Sequence, residues 1–204
     1  MSGRHEPIVH PNLLRVAHLA TSRGGLGPGH RHVVYVQGCA LHCQGCVAAE
    51  WLDFDGGYDV PVRALADQLL GAGARALTVS GGEPMLQPAA LVTLIDLMRE
   101  NVPDLSVMVY SGYRYERLLA RGTAEQLALI ARCDLLVDSP YVERWHGDLR
   151  WRGSANQRLL RLTDRHTAEE LLPDVSAGTE LVVGADLRVH QIGVPYRPTP
   201  EGAT

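Results

Sequence analysis

Three cysteines, Cys39, Cys43 and Cys46, stand in the spacing CxxxCxxC within residues 38–46, GCALHCQGC. Thiolates this close can turn inward on one short loop and cap three corners of a cubane iron-sulfur cluster, whose soft iron favours sulfur donors. The fourth iron then has no protein ligand. A cluster that only carries electrons normally has every iron ligated, so the vacancy points to a substrate or cofactor bound directly at the metal. Zinc is the rival reading. Structural zinc takes four closed ligands, usually with a second CxxC pair downstream, whereas the remaining cysteine, Cys133, lies far away in an apolar run. A bland reading as packed apolar residues fits poorly with Gly38 and Gly45, which mark a turning backbone.

The elements that must hold this loop can be read on either side of it. The β-branched run 32–36 feeds directly into it as a strand. Upstream, residues 1–12 form a polar lead-in with Pro7 and Pro11, and residues 13–19 make a first strand or edge segment. Residues 21–29 are glycine-rich, but without a GK[ST] ending or GxGxxG spacing they read as a tight turn rather than a phosphate cradle. Residues 51–58 form a loop. Pro61 then opens a helix with apolar Val62, Leu65, Ala66, Leu69 and Leu70 at helical spacing. A buried strand follows at 76–79 and a second helix from Pro88 to about residue 100. The next strand covers 106–110, helical patches lie at 113–120 and 123–131, and a further strand covers 135–137.

Strands alternating with amphipathic helices predict βαβ units, and hence an α/β fold with a mainly parallel sheet. Each polar or glycine-bearing motif falls just past the C-terminal end of a strand, the edge where such sheets bind ligands. The chain, at 204 residues, is short for a closed eight-unit barrel of about 250 residues. A partial barrel with one open side, able to admit a large substrate, is expected. One domain is predicted over 1–204, with a core at about 12–162 and a C-terminal extension at 163–204. That extension carries a β-hairpin from strands at 180–183 and 187–192 around a turn at 184–186, then an extended tail with Pro195, Pro198 and Pro200.

A net charge of −4 gives no reason to expect nucleic acid or an anionic membrane as partner. All 19 basic residues are Arg, which removes Lys as a Schiff-base or phosphate-binding candidate. No apolar run approaches the roughly 20 residues that span a bilayer, and no signal sequence opens the chain, so a cytoplasmic location is expected. A reducing compartment also suits thiolate ligation.

The cysteine loop resembles the signature of the radical S-adenosylmethionine (SAM) enzymes. The variant ending in Gly-Cys is similar to the activating proteins of anaerobic ribonucleotide reductase, within the glycyl-radical enzyme activases. From the residues alone, Ser80-Gly81-Gly82-Glu83-Pro84 is a glycine turn after a strand with a carboxylate suited to an ammonium group. One βα unit after the cysteines, it resembles the family's GGE motif. The resemblance implies that Gly81, Gly82 and Glu83 orient the amino group of SAM while its methionine moiety chelates the vacant iron. It also places Ser111, in Val109-Tyr110-Ser111-Gly112-Tyr113, beside SAM. Tyr113 reads equally as helix packing, and Asp138 at the end of its strand faces the site or caps a turn. Residues 152–157, RGSANQ, resemble the RGSxNQ element of the reductase-activating proteins, and the likeness runs from about residue 12 to 162; the last forty residues depart from it.

What the resemblance implies is a partial (βα) barrel of the radical SAM type holding a 4Fe-4S cluster on Cys39, Cys43 and Cys46, with SAM as cosubstrate. It implies reductive cleavage of SAM and removal of a hydrogen atom from a glycine of a partner glycyl-radical protein, with a flavodoxin- or ferredoxin-type reductant. Modification of a peptide or small metabolite is the alternative chemistry, and an electron carrier or zinc module the alternative class. His30, His32 and His42 flank the loop in sequence and read as solvent-facing or cluster-tuning groups; Cys133 reads as a buried small apolar residue.

Overall fold

A computed structural model describes residues 10–171, 179–183 and 189–195. The lead-in before residue 10, the hairpin turn at 184–186 and the tail with Pro198 and Pro200 lie outside the described residues.

In chain order the strands are β1 (Leu13–Ser22), β2 (Arg31–Val36), β3 (Tyr58–Pro61), β4 (Ala76–Gly81), β5 (Ser106–Tyr110), β6 (Leu135–Asp138), β7 (His146–Leu149), β8 (Arg152–Ser154), β9 (Arg158–Arg161), β10 (Glu180–Val183) and β11 (Val189–Ile192). The helices are α1 (Val62–Gly71), α2 (Pro88–Arg99), α3 (Tyr115–Arg121) and α4 (Ala124–Ile130). Seven strands form one open sheet in the order β3-β1-β2-β4-β5-β6-β9. Its centre, β2-β4-β5-β6, is parallel, and β1, β3 and β9 add antiparallel strands at the two sides. β7 pairs with β8, and β10 with β11, as separate ribbons.

The central strands are apolar on both faces, as strands covered on both sides must be. Val34, Val36, Leu77, Val79, Val107, Val109 and Leu136 pack against the helices in the main core. Pro88 starts α2, whose Leu91, Leu94, Ile95 and Met98 are wholly buried, each contributing about 2 kcal/mol of apolar burial. Thr123 and Gln126 close a capping box at the start of α4. Among the described residues no α-helix covers the other face. Val33 and Tyr35 pack there with Leu26 and Ile192, and Met108, Leu135 and Val137 pack with Trp151. Arg31 plugs one end of this face. It is fully buried and donates to the Thr78 and Ser106 hydroxyls and the Leu77 and Ser106 carbonyls; burial lowers its pKa to about 10.

The expected parallel core is present, with differences at its sides. β1 runs to Ser22 and lies inside the sheet, because the end of the expected 51–58 loop turns into β3 and pairs along it. The segment after Asp138, which shows no strand periodicity, forms β7, β8 and β9; β9 closes the edge of β6.

Candidate functional site

β2 ends at Val36, and the cysteine loop leaves it through Gly38, whose φ of +93° is glycine-like. Both ends of the turn are fastened. The Gly38 and Cys39 amides donate to the Trp51 and Leu52 carbonyls at 2.9 and 3.0 Å, and the Cys46 amide donates to the Cys43 carbonyl at 3.2 Å. His42 and Gly45 take positive φ, which curls the backbone so that the three thiols sense one another and Glu83. Cys39 is buried, Cys43 and Cys46 half-buried, and none forms a disulfide. Burial pushes the Cys39 thiol up to about 11, with the charges of Glu83, Cys43 and Cys46 adding to it and a backbone hydrogen bond at Leu41 opposing; burial also raises Cys43. Cys39 and Cys43, two thiols that resist ionisation in the bare protein, are a pair that a cationic metal centre would stabilise. Among the described residues no three His, Cys, Asp or Glu side chains converge on a single metal ion. A cubane asks for no such convergence, since each thiolate caps a different iron. The donor set therefore fits a three-cysteine cluster.

The turn after β4 stacks on this loop. Gly82 donates to the Val36 carbonyl at 2.7 Å and Glu83 to the Gly38 carbonyl at 2.9 Å. A Cβ on Gly82 would lie 2.3 Å from the Gly38 oxygen, and one on Gly81, at φ +97°, would lie 2.6 Å from the Val36 oxygen, so only glycine permits the approach. Glu83 is buried. Its carboxylate accepts from the Met85 amide, the Ser111 hydroxyl and the Gly112 amide at 2.9, 2.9 and 2.8 Å. Among the described residues no cationic side chain pairs with it. Burial raises its pKa to about 7 against these three donors. A buried carboxylate served only by neutral donors is a seat prepared for a cation such as an ammonium group.

Cys39, Cys43, Cys46, Gly81, Gly82, Glu83 and Ser111 thus meet at the C-terminal edge of β2, β4 and β5. Asp138 lies on the same edge, but its oxygens are taken within the chain by the Tyr115 amide, the Ser139 hydroxyl and Arg158. The 152–157 element is a strap for that edge. Gln157 accepts from the Gly153 and Ser154 amides and donates to the Ser139 carbonyl, while Asn156 donates to the Pro140 carbonyl. Tyr113 is half-buried with the Arg117 guanidinium 5.3 Å from its ring centre. His30 and His32 sit at the end of β2 away from the loop, T-shaped to one another at 5.7 Å; His30 is exposed, in keeping with the solvent-facing reading, whereas His32 is buried. His42 is exposed.

Sequence reasoning missed the side chains that brace the loop. The buried Gln87 amide donates to the Arg15 and Gln37 carbonyls and accepts from the Arg15 amide. Gln37 donates to the Asp53 carbonyl, and Arg15 reaches the Gly56 and Asp55 carbonyls and Asp59. Their polarity among apolar neighbours is the sole signal in sequence, and it names no partner.

Beside the loop, the face of the sheet opposite helices α1 to α4 lines a cavity of about 330 Å³ whose walls include Tyr35, Trp51, Ser80 and Tyr110. The pairing of Tyr35 with Ser80, and of Val79 with Val109, sets Tyr35, Ser80 and Tyr110 in one row across β2, β4 and β5. The Tyr110 hydroxyl is buried and has no hydrogen-bond partner among the described residues. Burial holds its pKa well above the usual phenol value.

A family model described as "4Fe-4S single cluster domain" matches residues 26–160. The chain is 33% identical over 148 residues to an anaerobic ribonucleoside-triphosphate reductase-activating protein of Vibrio cholerae serotype O1, covering 67% of this chain and 91% of that protein. It is 29% identical over 143 residues to the protein of the same name in Enterobacteria phage T4, covering 68% and 88%. A pyruvate formate-lyase-activating enzyme of Clostridium pasteurianum is 35% identical over 98 residues, covering 44% of this chain and 40% of that protein. With a loop of three clustered thiols at the head of the sheet and a relative 33% identical over 67% of the chain, the chain belongs to the family of anaerobic ribonucleoside-triphosphate reductase-activating proteins.

Proposed function

We propose that this chain is a radical SAM activase whose partner is an anaerobic ribonucleotide reductase. Cys39, Cys43 and Cys46 hold a 4Fe-4S cluster, and Gly81, Gly82 and Glu83 hold SAM beside it. When bound, these groups supply one-electron cleavage of the sulfonium and a carbon radical that takes a hydrogen atom from a glycine of the partner. The observation that carries the reading is Glu83, a buried carboxylate with three neutral donors and no cationic partner among the described residues, fastened by its own amide to the first residue of the cysteine loop.

The chain's own residues perform orientation and exclusion. Glu83 receives the ammonium group of SAM, and Ser111 aims that carboxylate through its hydroxyl. The glycine pair gives main-chain groups close access to the ligand. Asp138 with Arg158 fixes the neighbouring turn. The apolar floor formed by Val33, Met108 and Leu135 keeps water from the radical. One domain carries this work, with its core at about 12–162, in the cytoplasm, served by a flavodoxin- or ferredoxin-type reductant. No helix among the described residues is long and apolar enough to cross a membrane.

Anaerobic reconstitution tests the proposal. Four irons per chain and dithionite-dependent release of 5′-deoxyadenosine are expected, followed by a carbon-centred doublet in the paramagnetic resonance spectrum of the reductase. Zinc uptake without SAM cleavage would refute it.

A further inference from the structure

Residues 152–157, RGSANQ, supply none of the groups placed on the cluster or on SAM, yet they hold the stretch of chain that touches the cysteine loop. After β6 the backbone turns sharply, and Ser139 makes the turn at φ +84°, a left-handed conformation that is costly for a residue with a side chain. Such strain persists only where neighbours hold it. Gln157 donates to the Ser139 carbonyl at 3.1 Å, and the fully buried Ser154 hydroxyl accepts from the Val142 amide at 3.1 Å. Between these two grips Asn156 donates to the Pro140 carbonyl at 2.7 Å, while its own side-chain oxygen is fixed by the Ser154 hydroxyl at 2.8 Å. Tyr141 is buried against Gly153, where a Cβ would come within 3.1 Å of the ring, and its hydroxyl meets His146 Nδ1 at 3.1 Å.

The segment held in this way lies on the cysteine loop at two points. The Tyr141 amide hydrogen-bonds the Cys43 sulfur, and a Cβ on Gly45 would overlap the Glu143 carboxylate. The Pro140 carbonyl and the Tyr141 amide belong to one planar trans peptide, so they point in opposite directions. A grip on the carbonyl therefore aims the N–H. Hydrogen bonds to cysteine sulfurs are among the levers that set the potential of an iron-sulfur cluster, because they stabilise the extra negative charge of its reduced state.

We propose that Asn156 is a positioning residue for the cluster: by holding the Pro140 carbonyl it keeps the Tyr141 amide on the Cys43 sulfur and so raises the cluster's reduction potential. This rests on the activase reading and gives the 152–157 element a task which that reading leaves open.

The test uses the full chain, reconstituted anaerobically and kept free of SAM. Titration with dithionite and redox mediators, followed by paramagnetic resonance of the reduced cluster, reads the potential. Hydrogen exchange measured by mass spectrometry reads the protection of residues 140–143. Asn156→Ala is expected to lower the equilibrium constant for one-electron reduction about tenfold, a fall of about 59 mV, with exchange at 140–143 about tenfold faster. Ser154→Ala, which frees the Val142 amide and the Asn156 side chain, should move both readouts in the same direction, and it decides the matter if Asn156→Ala does not fold. Thr123→Ala, which removes the cap of α4, serves as the stability control: its melting midpoint should fall while its potential stays at the wild-type value. A potential that is unchanged or raised in the strap variants overturns the proposal, as does an equal shift in Thr123→Ala; faster exchange with an unmoved potential would make the strap a structural brace only. Wild type that takes up no cluster sinks the activase reading itself, whereas a loaded wild type and a strap variant with equal potentials leave that reading standing and remove only the role of Asn156.

Discussion

Glu83 and Asp138 are both carboxylates at strand ends, and their surroundings drive them in opposite directions. Glu83 has three neutral donors and, among the described residues, no cation, and burial lifts its pKa from 4.5 to about 7. Between those values the folded chain keeps a proton that the unfolded chain has released. The stability it contributes is thus complete below 4.5 and lost as pH rises to about 7, a change of about 3 kcal/mol. Gln cannot titrate, so the stability difference between wild type and Glu83→Gln should shrink by about that amount from pH 4.5 to 7.5. Urea unfolding of the iron-free protein measures it, and a difference independent of pH would contradict the assignment. At Asp138 burial also pushes upward, but Arg158, Tyr115 and Ser139 outweigh it and leave the pKa below 3.8. Its contribution is present above 3.8 and lost as pH falls further. Arg158→Ala leaves a fully buried carboxylate with its cation gone. Because that Arg is partly exposed, the expected loss is about 2 kcal/mol, below the range for wholly buried pairs. Thermal unfolding at pH 7 and at pH 3 separates the effects: the difference between variant and wild type should be smaller at the acid value.

Among the elements, the contact between the turn after β4 and the loop after β2 is the one with least tolerance. Gly82 sits with its α-carbon against the Gly38 backbone, and the nearest atoms a methyl would meet are main-chain atoms, which cannot rotate away. Gly82→Ala is expected to cost about 2 kcal/mol, which lowers the melting midpoint by about 6 °C in a chain of this size. Iron content after reconstitution should fall with it, since the displaced turn moves the cysteine loop; normal iron loading would show that the contact is not needed. The glycines of SGGEP were visible in sequence as permission for close approach, but the partner backbone was not. The same limit applies to β3 and β9. Their pairings are long-range, to β1 and β6, and Tyr58–Pro61 and Arg158–Arg161 carry little strand periodicity of their own, so only the open edges they cover give a reason for them to be strands.

At the scale of the molecule, the main core and the cysteine loop are separate. The buried cluster between sheet and helices contains none of Cys39, Cys43 or Cys46. Removing the metal by chelation is therefore expected to leave far-ultraviolet circular dichroism within about 10% of the holoprotein value, because the secondary structure rests on apolar burial. Protease sensitivity should rise within residues 38–57, and cooperative loss of helix and strand on chelation would show that the core depends on the metal. The sequence by itself determined what is local or periodic: the thiol spacing, the glycine pair, the alternation of strand and helix, and hence the edge on which the motifs gather. Tertiary structure alone decided which polar groups would go without partners and which would be satisfied. Ser111 turned to Glu83, Asp138 was consumed by Arg158 from a strand that its own residues did not announce, and the buried Tyr110 hydroxyl was left without a partner among the described residues. The reason is physical: spacing fixes which side chains share a loop or a face, whereas hydrogen-bond satisfaction is a property of neighbours brought together by folding.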